Sequence, residues 1–316
     1  MQKRLLGKSD LRVAPLAFGG NVFGWTIDEK ASFELLDKFL EAGFSLVDTA
    51  DVYSRWAEGN QGGESETIIG RWMKLRGNRD KVVVATKVGG DMGSGKRDTS
   101  KKYILKAVED SLQRLQTDVI DLYQTHWDVT DTPVEETLEA YAQLVKEGKV
   151  RWIGASNMSA ERLKVSLDAS DREGYPRYQT FQPLYNLYDR EGFEKGAQAL
   201  CVQQHIGVIS YFSLASGFLT GKYRSEKDLS KSARGEGNKK YLTERGFRIL
   251  AALDEVSAQY HTTPASVAIA WLLTRPAVAA PIASATSPGQ LDALLKAASL
   301  SLGEKAIDIL EEASKY

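Results

Sequence analysis

A single cysteine, Cys201, leaves nothing for it to pair with inside the chain, so no disulfide framework is expected and the composition suits a reducing, cytoplasmic setting. No stretch approaches the roughly 20 consecutive apolar residues of a membrane span, and the opening MQKRLLGKSDLRVAPL lacks the apolar core of a signal peptide. Neither sign of charge dominates: 41 Lys and Arg stand against 42 Asp and Glu, a formal net charge of −1. Without a basic stripe, neither nucleic acid nor an anionic membrane is an expected partner. Histidine is scarce too, and His126, His205 and His261 show no ligand spacing with another His, Cys or acidic residue, so no metal site is expected. No GxGxxG follows the first apolar run; FGGNVFG (18–24) lacks that spacing, which argues against a Rossmann-type nucleotide fold.

What is present is an alternation. Eight short apolar runs rich in β-branched residues recur at 15–20, 45–50, 81–87, 119–127, 150–156, 177–185, 207–214 and 278–284. Between them lie segments with apolar residues three and four apart, such as Phe33, Leu36, Phe39 and Leu40, or Leu138, Tyr141, Leu144 and Val145. Parallel strands need crossover connections, and helices supply them. The expected fold is α/β, a (β/α)8 TIM barrel forming one domain over residues 1–316. An N-terminal β-hairpin turning at Gly7 to Asp10 would plug one end, and a helix at about 303–315 falls outside the repeat. Thr132, Ser159 and Thr263 stand where helix caps belong. Two connections, 52–63 and 215–240, are long, polar and glycine-rich, as functional loops are.

Active groups of such a barrel sit where strands end. The second strand ends in Asp48 with Tyr53 close behind, the third in Lys87, the fourth in His126, the fifth in Ser156 and Asn157; the sixth contains Gln182 and the seventh Tyr211. Polar groups interrupting apolar runs must satisfy one another, since a buried unpaired charge is costly. A lysine about 4 Å from a tyrosine favours the phenolate by up to roughly 4 kcal/mol at an effective dielectric of about 20, which would bring Tyr53 toward neutrality. Such a tyrosine can protonate an oxygen gathering negative charge, with Asp48 orienting Lys87 and His126 bonding the same oxygen. The set fits chemistry at a carbonyl.

The strings DTADVY and GGESETIIG, ATK, LYQTHWD, GASN, FQPLYN and LASGFLTGKY, in this order, resemble the aldo-keto reductase superfamily over nearly the whole chain. The resemblance implies a nicotinamide-dependent oxidoreductase that reduces small-molecule aldehydes and ketones, with Asp48, Tyr53, Lys87 and His126 as its catalytic tetrad. It implies that Asp48, Ser156, Asn157 and Gln182 serve the nicotinamide, that Tyr211 stacks on its ring and that Gly20 and Asn21 lie near its ribose. Ser213, Leu214, Ser216, Gly217, Leu219 and Lys222 would face the pyrophosphate, where small residues and backbone amides hold phosphate. Ser284, Thr286 and Gln290 fall at the adenosine end. There the chain departs from relatives that use the phosphorylated cofactor: Ala283 and Gln290 stand where Lys or Arg is frequent, and Leu294 where an adenine-binding Asn is usual. NADP is the favoured cofactor and NAD the alternative, with Lys222, Arg224, Arg234, Lys239 and Lys240 available if the long loop reaches that end. Trp25, Arg55, Trp56 and Trp127 are expected around the substrate mouth, which suits apolar or aromatic carbonyls. Cys201, in the helical stretch ALCVQQ, reads as a buried small hydrophobe. Two other readings stay open: a Schiff-base lyase built on Lys87, and a cofactor-binding auxiliary subunit like those of potassium channels.

Overall fold

The computed structural model describes residues 2–316. An antiparallel hairpin, β1 (Arg4–Leu5) and β2 (Arg12–Val13), precedes the barrel. Seven neighbouring pairs of parallel strands then run β10 (Ile282–Ala283), β3 (Ala17–Gly19), β4 (Leu46–Asp48), β5 (Val83–Val88), β6 (Ile120–Thr125), β7 (Val150–Ser156), β8 (Tyr178–Gln182) and β9 (Gly207–Val208). The sheet curls until its ends meet. Ile282 N–H donates to the Ser210 carbonyl at 2.8 Å, and Ala279 N–H to that of Val208 at 2.8 Å, across the seam. The architecture is the expected (β/α)8 barrel.

Crossover helices α1 (Glu29–Glu41), α2 (Glu64–Arg76), α3 (Lys101–Leu115), α4 (Val134–Lys146) and α5 (Ala160–Glu173) return the chain between successive strands. The short α6 (Glu191–Lys195) and α7 (Gln198–Gln204) share one crossover. Then come α8 (Glu244–Gln259) and α9 (Pro264–Leu273) before β10, and α10 (Pro288–Ala297) and α11 (Glu304–Ser314) after it. Their apolar stripes do the packing: Leu36 and Phe39 of α1 and Leu138, Tyr141 and Leu144 of α4 are buried against the barrel. Ser159 and Thr263 cap α5 and α9 through Arg162 N–H and Ser266 N–H. Thr132 does not cap α4. Pro133 takes the cap position, and the Thr132 carbonyl instead accepts from the Arg162 guanidinium. Among the described residues no helix is long and apolar enough to cross a membrane.

The later strands are shorter than their apolar runs. The tail of the sixth run leaves the ladder after Gln182 and that of the seventh after Val208, although Leu184 and Tyr211 still bridge. These extended tails lift side chains onto the C-terminal rim. At the other end the hairpin seats Leu6, Leu11 and Val13 against Ala17, Leu46, Ala85, Leu122, Ile209 and Ala280. Gly7 makes the close approach possible: its φ is 65°, and a Cβ there would lie 2.1 Å from the Gln179 carbonyl oxygen. Cys201 is buried in α7, and burial pushes its thiol up to about 12.

Candidate active site

Asp48 closes β4, Lys87 lies within β5, His126 follows β6 and Gln182 closes β8. Parallel register brings their side chains into one layer at the rim: Lys87 stands opposite Gln124, and Ser156 opposite Gln182. Lys87 is fully buried, and its ammonium uses its three donors on Asp48 Oδ2 at 2.7 Å, the Thr49 carbonyl at 2.8 Å and the Tyr53 hydroxyl at 2.9 Å. Asp48 Oδ1 accepts from Gln182 Nε2 at 2.9 Å and, more loosely, from Gln124 Nε2 at 3.5 Å. The ion pair is therefore dry yet hydrogen-bonded on both sides, the condition under which a buried pair is tolerated.

Burial pulls the Lys87 ammonium below the ordinary lysine value, and the Asp48 carboxylate opposes that. Tyr53 moves the opposite way from the expectation read from Lys87 alone. Burial first, then the nearby Asp48 charge and hydrogen bond, hold its phenol well above the ordinary tyrosine value, with the Arg234 charge opposing. The phenol therefore keeps its proton. His126 is held well below the ordinary histidine value by burial, then by the Lys87 and Arg97 charges, so it is a neutral imidazole. Its ring stacks on Trp127 at 3.6 Å and meets Tyr53 at 5.8 Å.

Ser156, Asn157, Gln182 and Tyr211 also come together. Ser156 Oγ donates to the Gln182 carbonyl at 2.8 Å, Asn157 Nδ2 to the His126 carbonyl at 2.9 Å, and the Tyr211 hydroxyl to Asn157 Oδ1 at 2.8 Å. Leu214 (φ −109°) leads into a left-handed run, Ala215 (φ 47°), Ser216 and Gly217, in which the Ala215 amide donates to the Phe212 carbonyl at 2.7 Å and the Gly217 amide to that of Leu214 at 2.8 Å. Lys222 lies against Gly217, where a Cβ would meet its Cε at 3.1 Å; Ser213 is buried beneath, and Leu219 is packed in the core. At Gly20 a Cβ would stand 2.8 Å from Ser65 Oγ and 3.1 Å from the Asp48 carbonyl. Asn21, with its amide nitrogen toward Ser284 Oγ at 2.7 Å, accepts from Arg234 Nη2 at 3.1 Å. Gln290 Oε1 accepts from Thr286 N–H at 2.9 Å and Oγ1 at 3.1 Å.

The long loop does not deliver its cations to that last pair. Arg224 is bidentate to Asp254 at 2.8 Å, Lys239 pairs with Glu226 at 3.1 Å, Lys240 rests on Tyr241, and Arg234 reaches Asn21 and the Trp25 ring. At the mouth, Trp25 meets Trp56 edge-on at 5.6 Å and Trp56 meets Tyr53 at 5.8 Å. Arg55 leans away, onto the backbone at Gly93, 3.2 Å from a Cβ built there.

Sequence reasoning missed Gln124, although its alternation within LYQTHW already aimed it into the barrel, and it missed Asp51. Asp51 is 2% exposed and neither carboxylate oxygen has a partner among the described residues. Burial, reinforced by Glu66, raises this carboxyl from 3.8 to about 8. The folded chain thus holds a proton that the unfolded chain releases, and stability falls as pH climbs between those values. Asp51→Asn is expected to stabilise the protein at pH 7 by on the order of 3 kcal/mol more than at pH 4. Urea midpoints of both proteins at the two pH values check this, and a constant difference between them would refute it.

The Aldo/keto reductase family model matches residues 15–315. The chain is 36% identical to "Aldo-keto reductase YhdN" of Bacillus subtilis (strain 168), over 88% of this chain and 81% of that protein. It is 31% identical to an L-glyceraldehyde 3-phosphate reductase of Escherichia coli (strain K12), over 92% of this chain and 86% of the relative. A "Probable voltage-gated potassium channel subunit beta" of Arabidopsis thaliana is 32% identical, over 94% and 91%.

Proposed function

Because the chain belongs to the aldo/keto reductase family, we propose that it reduces aldehyde and ketone carbonyls to alcohols with a nicotinamide cofactor, NADP(H) before NAD(H). The observation that carries this reading is the Lys87 ammonium, spread over Asp48, Thr49 and Tyr53 beneath an open aromatic mouth.

The residues fit such a cofactor. The linked amides and hydroxyls of Ser156, Asn157 and Gln182 suit a carboxamide, Tyr211 offers a ring face, and Gly20 and Asn21 line the approach to a ribose. The tight turn at Leu214 to Gly217, built of small residues with Ser213 and Leu219 about it and the Lys222 side chain against Gly217, suits a pyrophosphate. Ser284, Thr286 and Gln290 offer hydroxyls and an amide at the adenosine end; this supports tolerance of NAD(H). When bound, the nicotinamide supplies a hydride to the carbonyl carbon. Tyr53 gives its proton to the carbonyl oxygen as that oxygen gains charge, and the phenolate left behind is stabilised by the Lys87 ammonium 2.9 Å away. Asp48 keeps Lys87 charged and fixed. Neutral His126 can donate to the same oxygen without contributing a charge of its own. A Schiff-base role for Lys87 is disfavoured, since all three of its donors are engaged.

Fluorescence titration with NADPH and, separately, NADH, followed by turnover at 340 nm on aromatic aldehydes and diketones, tests the proposal. Binding with turnover is expected, tighter for NADPH. Tight binding with negligible turnover would favour an auxiliary role like that in the plant relative's name. Binding of neither would overturn the proposal.

A further inference from the structure

A buried carboxyl without a hydrogen bond belongs to the turn that carries Tyr53. This turn leaves the end of β4 and is fastened to Lys87 of β5 from two sides. The Asp51 amide donates to the Lys87 carbonyl at 3.2 Å, and the Lys87 ammonium donates to the Thr49 carbonyl at 2.8 Å. The Tyr53 amide then closes on the Ala50 carbonyl at 3.1 Å, and its hydroxyl meets the same ammonium at 2.9 Å. Between these fastenings sits the Asp51 side chain, whose two oxygens bond to nothing among the described residues.

The donors of the surrounding layer are already taken up. Fully buried Glu66 of α2 accepts from Thr86 Oγ1 at 2.5 Å and from Arg114 Nε of α3 at 2.7 Å, and Arg114 turns another nitrogen to Ser111 Oγ at 3.2 Å. The Tyr123 hydroxyl of β6 is buried and unpartnered as well. The titratable groups coupled to the Asp51 charge are Glu66, Arg114 and Tyr103 of α3, Lys87, Tyr123, and Tyr141 of α4. Burial and Glu66 oppose its ionisation; the Val52 amide, outside hydrogen-bond geometry, and the Arg114 and Lys87 charges favour it less strongly. With its proton, Asp51 packs as a small neutral group. Without it, the side chain is a second anion beside Glu66 with no donor, and it must draw in water or withdraw. Because its own amide is bonded to β5, withdrawal takes the turn along, and Tyr53 lies two residues on. An amide or an apolar side chain would fill the place without that liability, and a burial rule broken beside a site points to a role there.

We infer that Asp51 is a positioning residue for Tyr53: holding its proton, it seats the turn that keeps the phenol against Lys87, and losing the proton unseats that turn. This rests on the reductase reading for the role of Tyr53, and on the buried layer alone for the role of Asp51. The proton on Asp51 is never delivered to substrate; it is a condition for the delivery of the one on Tyr53.

Turnover of benzaldehyde with saturating NADPH is measured between about pH 6 and about pH 9 in the parent and in Asp51→Asn, which keeps the shape and cannot ionise. The seat itself is read without aldehyde or cofactor, from tryptophan fluorescence over the same range. Trp56 is the reporter, since it meets the Tyr53 ring edge-on at 5.8 Å, and Trp56→Phe identifies its share of the signal. The Asp51 carboxyl is raised to about 8. The parent's kcat at about pH 9 is therefore expected to be roughly a tenth of its value at about pH 6, with KM within about twofold. In Asp51→Asn the ratio of those two kcat values should stay within about twofold of one. Fluorescence should step at about pH 8 in the parent, and the step should be missing from both variants. A decline of the same size at the same pH in Asp51→Asn would overturn the inference, because the limb would then belong to Lys87 or Tyr53. So would a parent whose kcat does not decline over the range; either result leaves the reductase reading standing. If no aldehyde or diketone turns over, the reductase reading falls, and the seat is still decided: a fluorescence step in the parent that Asp51→Asn lacks supports it, and a step shared by the two proteins, or absent from both, overturns it.

Discussion

Tyr53→Phe is expected to lower turnover by about 10²-fold or more while leaving NADPH affinity nearly unchanged. The substitution keeps the ring, and with it the edge contacts to Trp56 and His126 at 5.8 Å and the Lys87 ammonium 4.5 Å from the ring centre. What disappears is one oxygen, the acceptor of Lys87's third bond and the holder of the proton. His126 cannot replace it, because burial and the neighbouring cations keep the imidazole from carrying a spare proton. Lys87 could surrender one only by leaving Asp48 bare. Since the loss falls on the chemical step, kcat should carry it, and the solvent isotope effect should grow if water becomes the donor. A variant retaining near-normal turnover on every aldehyde the parent reduces would remove Tyr53 from the role.

Lys87→Met has the second large effect, and it reaches stability as well as activity. Methionine fills most of the volume but leaves Asp48 in a dry site with only the Gln182 and Gln124 amides. Breaking a buried pair from one side costs about 3–5 kcal/mol. The loss falls on the folded state alone, because water surrounds the carboxylate in the unfolded chain. Adding Asp48→Asn should recover most of the stability without restoring turnover. Urea unfolding of the single and double variants checks both parts, and a single variant within about 1 kcal/mol of the parent would show that water reaches the pair.

Much of this layout could be read before any coordinates. Each polar residue of interest closed or followed an apolar run, and in a parallel barrel all strand ends face one rim, so Asp48, Lys87, His126 and Gln182 had to share a neighbourhood. The direction of the Tyr53 shift was not readable, because it depends first on how completely the hydroxyl is buried and then on how close the Asp48 carboxylate comes to it. Where the cations of the long loop end up was hidden for another reason. They sit on a connection whose path is set by packing, as when Arg224 is taken up by Asp254 while Arg234 turns to Asn21. Periodicity says nothing about such loops. Asp51 shows the limit from inside the fold: one position after the alternating run, a carboxyl reads as solvent-facing, and only the layer formed by Glu66 and Arg114 reveals how dry it is.

The hairpin at the base of the barrel has a consequence in time. Leu6, Leu11 and Val13 leave the ribosome well before much of their seat, which includes Leu122, Ile209 and Ala280, and Arg4 donates to the carbonyls of Leu273 and Val278. Through most of synthesis the plug has no floor to enter, and three apolar side chains wait exposed beside the growing chain. A segment made before the barrel strands is among the last to dock, so closure of the seam and seating of the plug should form a single late event, and a nascent chain stalled before residue 282 should be captured by holdase chaperones through the hairpin's apolar residues.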